Sequence, residues 1–297
     1  MQTRFKRLRQ GLTGTLPFVA PVHVLVLGVI VLPSLFVVWL SFQASTFGQA
    51  PTFVGFDNYA RILGDAYFWR SLLNTVIVVA VAVHVELLAG LGIALLFASG
   101  LPGRRILLVV VLAPYAISEV TAAAMWRFLF DPDVGPVTLA MQALGLPSLD
   151  WTFIPMHGLA LVGLLTIWLH LPFTFIILYA ARLAIPKDLY EAGRTDGASS
   201  FQLFRNVTLP LLAPAILIAM LFRYIFAFRL FSEIWLMTQG GPARTTEAVA
   251  VYLYLEAFRY NSFGTAAATA WIMVLVSLLL ATFYILRLKR GMAADAR

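Results

Sequence analysis

Ionisable side chains stand inside long apolar runs, where hydrocarbon is expected, among them His84, Glu86, Glu119, His170, Arg223, Arg229 and Glu233. Each costs about 2.5–3.5 kcal/mol to insert at the centre of a membrane helix, so such residues are functional candidates by default. Carboxylates accept hydrogen bonds and guanidinium forks donate them, which suits a path for a polar, hydroxyl-rich solute. Trp126, Trp168 and Trp235 would offer apolar ring faces to such a solute. Glu119 and Glu233, toward one end of their runs, are candidate gates. The bland reading of the same residues is structural. Arg223 would pair with Glu86, and Arg229 with Glu233, four residues on along one helical face. Trp69, Trp126 and Trp235 near the ends of runs would then be interfacial anchors. His84, Glu86 and His170 together would also suit a proton relay.

The elements that must position these groups are membrane spans. Hydrophobic residues make up 61% of the 297 positions and charged residues 12%, about half the charge of an ordinary soluble domain. The runs are apolar on every side and long enough for helices, which excludes a barrel of short alternating strands. Six spans are expected, at 15–41, 72–99, 105–127, 157–182, 210–236 and 264–287. Pro33, Pro114, Pro172 and Pro214 inside them predict kinks. The first run is too long for a signal-peptide core and should stay as helix one. With the N-terminus in the cytoplasm, fourteen of the 21 Lys and Arg fall inside, among them Arg4, Lys6, Arg7, Arg9, Arg104, Arg105 and Lys187. Positive-inside therefore puts both termini in the cytoplasm. It also accounts for the net charge of +7 without nucleic acid. The expected organisation is a cytoplasmic segment 1–14, a transmembrane domain 15–287 with a cytoplasmic loop 183–209, and a tail 288–297. No connection is long enough for a soluble domain. The chain contains no cysteine, no glycine-rich phosphate loop and no HExxH metal spacing, and no metal or catalytic set is assigned.

The loop between spans four and five is too polar for membrane and too patterned for a linker. Pro186 opens a helix, Asp196 and Gly197 read as a turn, and Ser199 with Gln202 forms a capping box for a second short helix ending before Pro210. The spacing of Glu191, Ala192, Gly193, Gly197, Val207, Leu209 and Pro210 resembles the cytoplasmic EAA signature of ABC importer permeases. Two positions depart from it: Gly193 stands in place of the second alanine and Val207 in place of isoleucine. Gly193 should soften its helix by about 1 kcal/mol relative to alanine. FVGFDNY at 53–59, MWRFLF at 125–130 with Asp131, Pro132 and Gly135, and FRLFSEIWLMT at 228–238 with Gly240, Gly241 and Pro242 resemble the sugar-permease branch, specifically the first permease of a pair.

That resemblance implies an all-α membrane protein of the type I importer permease fold in the bacterial plasma membrane. It implies a second permease, two ATP-binding subunits and an extracellular or periplasmic solute-binding protein as partners, with ATP and Mg on the ATPase subunits and no cofactor on this chain. The second loop helix, with Ser199 and Phe201, would dock in the ATPase, and Glu191 would meet a basic residue there. An amphipathic helix resting on lipid headgroups is the alternative for this loop. For the whole chain the alternatives are an importer of another solute class, such as polyamine or phosphate, an ion-coupled secondary transporter, and an intramembrane enzyme, for which no nucleophile, base or metal set is present.

Overall fold

The computed structural model describes residues 19–295; the basic cluster from Arg4 to Arg9 and the segment 1–14 lie outside them. In chain order the structure runs α1 (Val19–Ser41), a hairpin of β1 (Gln43–Ala44) and β2 (Thr52–Phe53), α2 (Asp57–Gly64), α3 (Ala66–Ala98), α4 (Arg104–Ala116, its last turn a 3-10 turn), α5 (Glu119–Leu129) and α6 (Pro136–Ala143). There follow α7 (Pro155–Ala184), α8 (Lys187–Thr195), α9 (Ser200–Ala227), α10 (Ser232–Met237), α11 (Val249–Tyr254) and α12 (Phe263–Asp295). Five of these, α1, α3, α7, α9 and α12, are long and apolar enough to cross a membrane.

Three expectations change. The run 105–127 is two helices, α4 and α5, bent by 100° at Ile117 and Ser118. Pro114 lies in the last turn of α4, and Ser118 caps α5 by accepting from the Thr121 N–H at 3.2 Å, so each side of the break satisfies its own backbone. The run 210–236 ends at Ala227, and α10 is a separate short helix. The second loop helix does not stop before Pro210; it continues through a π turn, Phe204–Thr208, into the rest of α9. A second π turn, Leu27–Val31, precedes Pro33 in the same way. Each proline lacks the N–H that the carbonyl four residues back would use, and that carbonyl lies within the π turn.

The chain divides into two compact units. In the first, residues up to Gly64 with Leu255–Trp271, Asn58 fastens the end of α1 to the hairpin, its amide donating to the Ser41 carbonyl at 2.8 Å and the Gln43 carbonyl at 2.9 Å. Tyr59 donates to the Ser41 hydroxyl at 2.8 Å. Gly264 sits where an added Cβ would collide with the Gln43 carbonyl.

In the second unit, Asp65–Tyr254 with Ile272–Arg297, α3 and α7 pack along much of their lengths. Gly90 lets them approach: a Cβ there would lie 3.3 Å from the Phe175 backbone nitrogen and 3.1 Å from Thr174 Cγ2. Ala94, Phe97, Phe175 and Leu178 fill the seam beside it. Val79, Val83, Tyr224, Ala227 and Phe228 form a second cluster between α3 and the end of α9. The segment after α10 is tied to α3 by the Asn74 amide, which donates to the Thr245 carbonyl at 2.8 Å and the Glu247 carbonyl at 2.9 Å. Glu247 is buried and accepts from Arg244 at 3.0 Å; burial pushes its carboxyl above the ordinary range and the guanidinium opposes that.

Candidate functional site

Both interruptions of long helices face one cavity of about 520 Å³, inside the second unit. From the α4–α5 break come Tyr115, Ser118 and Glu119; from α7 come Thr166, His170 and Phe173; from the end of α9 come Arg223 and Phe226; from the α9–α10 turn and α10 come Arg229, Ser232 and Glu233. Irregular backbone at membrane depth is tolerated where it lines a cavity, and here it carries the polar side chains. Glu119 and Glu233 each occupy the first turn of a helix, where the local dipole favours a carboxylate.

The polar wall is built around His170. Its Nε2 lies 3.8 Å from Glu233 Oε1, and the nearest donor atoms of Glu119, His170 and Glu233 all lie within 4.8 Å of one another. Glu119 is exposed to the cavity, whereas Glu233 is buried. Thr166 adds a buried hydroxyl that has no hydrogen-bond partner among the described residues. Three groups of this kind can accept hydrogen bonds from hydroxyls or ammonium groups, or approach a cation. The apolar wall is Tyr115 stacked on Phe173 at 6.3 Å, with the Phe226 ring edge-on to Phe173 at the same distance.

Five of the residues singled out by sequence line this cavity: Glu119, His170, Arg223, Arg229 and Glu233. Glu86 is fully buried and holds Arg223 through two bonds, Nε to Oε2 at 2.5 Å and Nη2 to Oε1 at 2.8 Å. Arg229 and Glu233 make no ion pair, because α9 ends at Ala227 and the two residues do not share a helix. Trp126 and Trp235 are not on the cavity wall. Trp126 stacks on Phe130 at 5.2 Å and meets Trp168 at 5.8 Å, while Trp235 stacks on Phe231 at 6.0 Å and meets Tyr254 at 4.8 Å. The aromatic faces are Tyr115, Phe173 and Phe226, which sequence reasoning missed; the one signal was Tyr115 beside Pro114.

A second site lies at the start of α9. Helix α8 ends in a Schellman turn: Ala198 N–H donates to the Gly193 carbonyl at 2.9 Å and Gly197 N–H to the Arg194 carbonyl at 3.0 Å, with Gly197 at φ +79°. Ser199 then caps α9 reciprocally, Gln202 N–H donating to its hydroxyl at 3.3 Å and its own N–H donating to Gln202 Oε1 at 2.7 Å. Gly193 faces the buried Leu203, whose methyl would lie 2.6 Å from a Cβ, so glycine here serves packing as well as departing from the signature. Tyr190 bonds Thr208 at 2.9 Å. Glu191, Ala192, Gly197, Ser199, Phe201, Leu209 and Pro210 are all exposed, Phe201 at 69%.

Long apolar helices, one of them broken beside a polar cavity, define a multi-pass membrane protein of the permease class. The chain belongs to the family of binding-protein-dependent transport system inner membrane components, which it matches over residues 86–292. It is 34% identical over 286 residues to the trehalose/maltose transport system permease protein MalF of Thermococcus litoralis, covering 96% of this chain and 95% of that one. It is 32% identical to the sulfoquinovosyl glycerol transport system permease protein SmoG of Agrobacterium fabrum, covering 95% and 92%. Its fold is that of a chain in a bacterial ABC transporter involved in the import of the acidic polysaccharide alginate, with a TM-score of 0.83 at 21% identity over 96% of this chain and 99% of that one.

Proposed function

We propose that this chain forms half of the translocation path of an ATP-driven importer for a sugar or related polyol, with six spans and both termini in the cytoplasm. In this reading α4 and α5 together are one broken span. A second permease completes the path, two ATPase subunits drive it, and a solute-binding protein delivers the substrate. The relatives named for trehalose, maltose and sulfoquinovosyl glycerol transport support the substrate class.

One observation carries the mechanism. Helix α9 starts at the capped turn around Gly197 and Ser199 and ends at Arg223 and Phe226 on the cavity wall. A helix does not stretch, so displacement of the exposed Glu191–Phe201 surface by an ATPase reaches the cavity as movement of its lining. The Schellman turn and the capping box keep the coupling segment rigid enough to transmit that displacement. The cavity, within the roughly 300–1,000 Å³ of ordinary ligand sites, offers acceptors for hydroxyls and aromatic faces for a sugar ring.

The test is ATP-dependent sugar uptake by the reconstituted complex, with wild-type chain and with Gly197→Pro. Proline cannot adopt the positive φ of Gly197 and lacks the N–H given to Arg194. The expected result is a complex that assembles but loses uptake by more than about tenfold. Normal uptake in the variant, or uptake without the ATPase subunits, would remove the coupling reading.

A further inference from the structure

With His170 neutral, the cavity carries two carboxylates, Glu119 and Glu233, against one guanidinium, Arg229, that is unpaired among the described residues, and their arrangement bears on which saccharides it accepts. Arg223 lines the wall, but its guanidinium is held on two sides by the fully buried Glu86, so the pair brings no net charge. Arg229 is exposed and has no carboxylate within ion-pair distance among the described residues. On the same cavity wall, Glu119 and Glu233 are grouped with His170, their nearest ligand atoms all within 4.8 Å of one another. Glu233 is only 3% exposed, yet among the described residues it accepts no hydrogen bond; the His170 ring lies 3.8 Å from it, and the Glu119 carboxylate is within 4.8 Å. A buried carboxylate normally takes bonds from protein donors, so one left bare on a cavity wall is a place prepared for donors of a ligand. Thr166, a residue of the same wall, also has a buried hydroxyl without a hydrogen-bond partner among the described residues.

Resting on the reading of this cavity as the sugar path, we infer that it sorts saccharides by charge: it takes neutral saccharides, takes those bearing a protonated amine most tightly, and turns away those bearing a carboxylate, sulfate or phosphate. Hydroxyls and ammonium groups donate to the two carboxylates, whereas an anion placed beside them is repelled by both, most strongly by the buried Glu233, where screening is weakest. Arg229, at the exposed side, offers an anion one partner without removing that repulsion.

The experiment uses the complete transporter, with its partner permease and ATPase subunits, in lipid nanodiscs without the binding protein, so that only the membrane cavity is read. Three matched probes are titrated: maltitol, 1-amino-1-deoxymaltitol and maltobionate, which differ in one terminal group. The amine should bind at least about tenfold more tightly than the carboxylate, with maltitol between them. Glu119→Gln, at an exposed position where folding is not at issue, should shrink that ratio about threefold. Glu119→Gln with Glu233→Gln should bring it close to unity. The inference is overturned if maltobionate binds the wild-type complex as tightly as the amine, or if the ratio survives both substitutions in a complex that still hydrolyses ATP. If none of the three binds while uptake still requires the ATPase, the cavity is not the sugar site: the inference falls and the importer reading stands. Loss of ATP dependence would instead remove the importer reading itself.

Discussion

Arg223 and Glu86 illustrate how a residue can line a site and still be structural. Two buried charges held in a bidentate pair cost several kcal/mol to desolvate and recover that through each other. Arg223→Met alone leaves Glu86 buried and unpaired and should destabilise the protein by about 3–5 kcal/mol. Combining it with Glu86→Leu removes both charges and should restore most of that loss. Thermal unfolding of the detergent-purified complex distinguishes them: a double variant as unstable as the single one would mean that shape, not charge, is what the pair supplies. Glu119 and Glu233 differ, since neither has an arginine partner, and their replacement should act on ligand binding before stability.

At the scale of elements, the α3–α7 seam makes a positional prediction from two glycines on one helix. Gly90 faces the Phe175 backbone and the Thr174 side chain, whereas a Cβ at Gly92 meets nothing within 4 Å. Gly90→Leu should force the helices apart and cost about 1–3 kcal/mol or more. Gly92→Leu should gain up to about 1 kcal/mol from helix propensity, with no clash to offset it. The difference in melting temperature between the two is the measurement, and equal effects would mean that α3 and α7 do not meet along this face. The loop element is similar in kind: Gly197 is required by its backbone angle, Gly193 by the proximity of Leu203.

For the whole molecule, the absence of cysteine makes topology directly measurable, because a single introduced thiol is unambiguous. Phe153, between α6 and α7, is 79% exposed, and Phe201, after α8, is 69% exposed; α7 alone separates these two regions by a span. With a membrane-impermeant maleimide, Phe153→Cys should label in intact cells and Phe201→Cys only in inside-out vesicles. Labelling of both from one side would contradict a cytoplasmic coupling loop.

What the sequence determined by itself is whatever depends on neighbours along the chain. Runs of apolar residues define spanning helices because every side of such a helix must be apolar. The turn at Gly197 and the capping box at Ser199 were legible because their hydrogen bonds close over three to five residues. The ionisable residues at 119, 170, 223, 229 and 233 could be picked out because hydrocarbon makes each one costly. Only the tertiary structure decided how they divide. Glu86 and Arg223 are 137 residues apart and meet because α3 and α9 pack together, so whether Arg223 was paired or free depended on a contact no local pattern encodes. The break at Ile117 removed a straight third span, the end of α9 at Ala227 parted Arg229 from Glu233, and Trp126 and Trp235 turned to other rings while Phe173 and Phe226 took the cavity wall. A run that is apolar all round carries no mark of which side meets lipid, a neighbouring helix or a cavity; that is settled by packing between helices far apart in the chain.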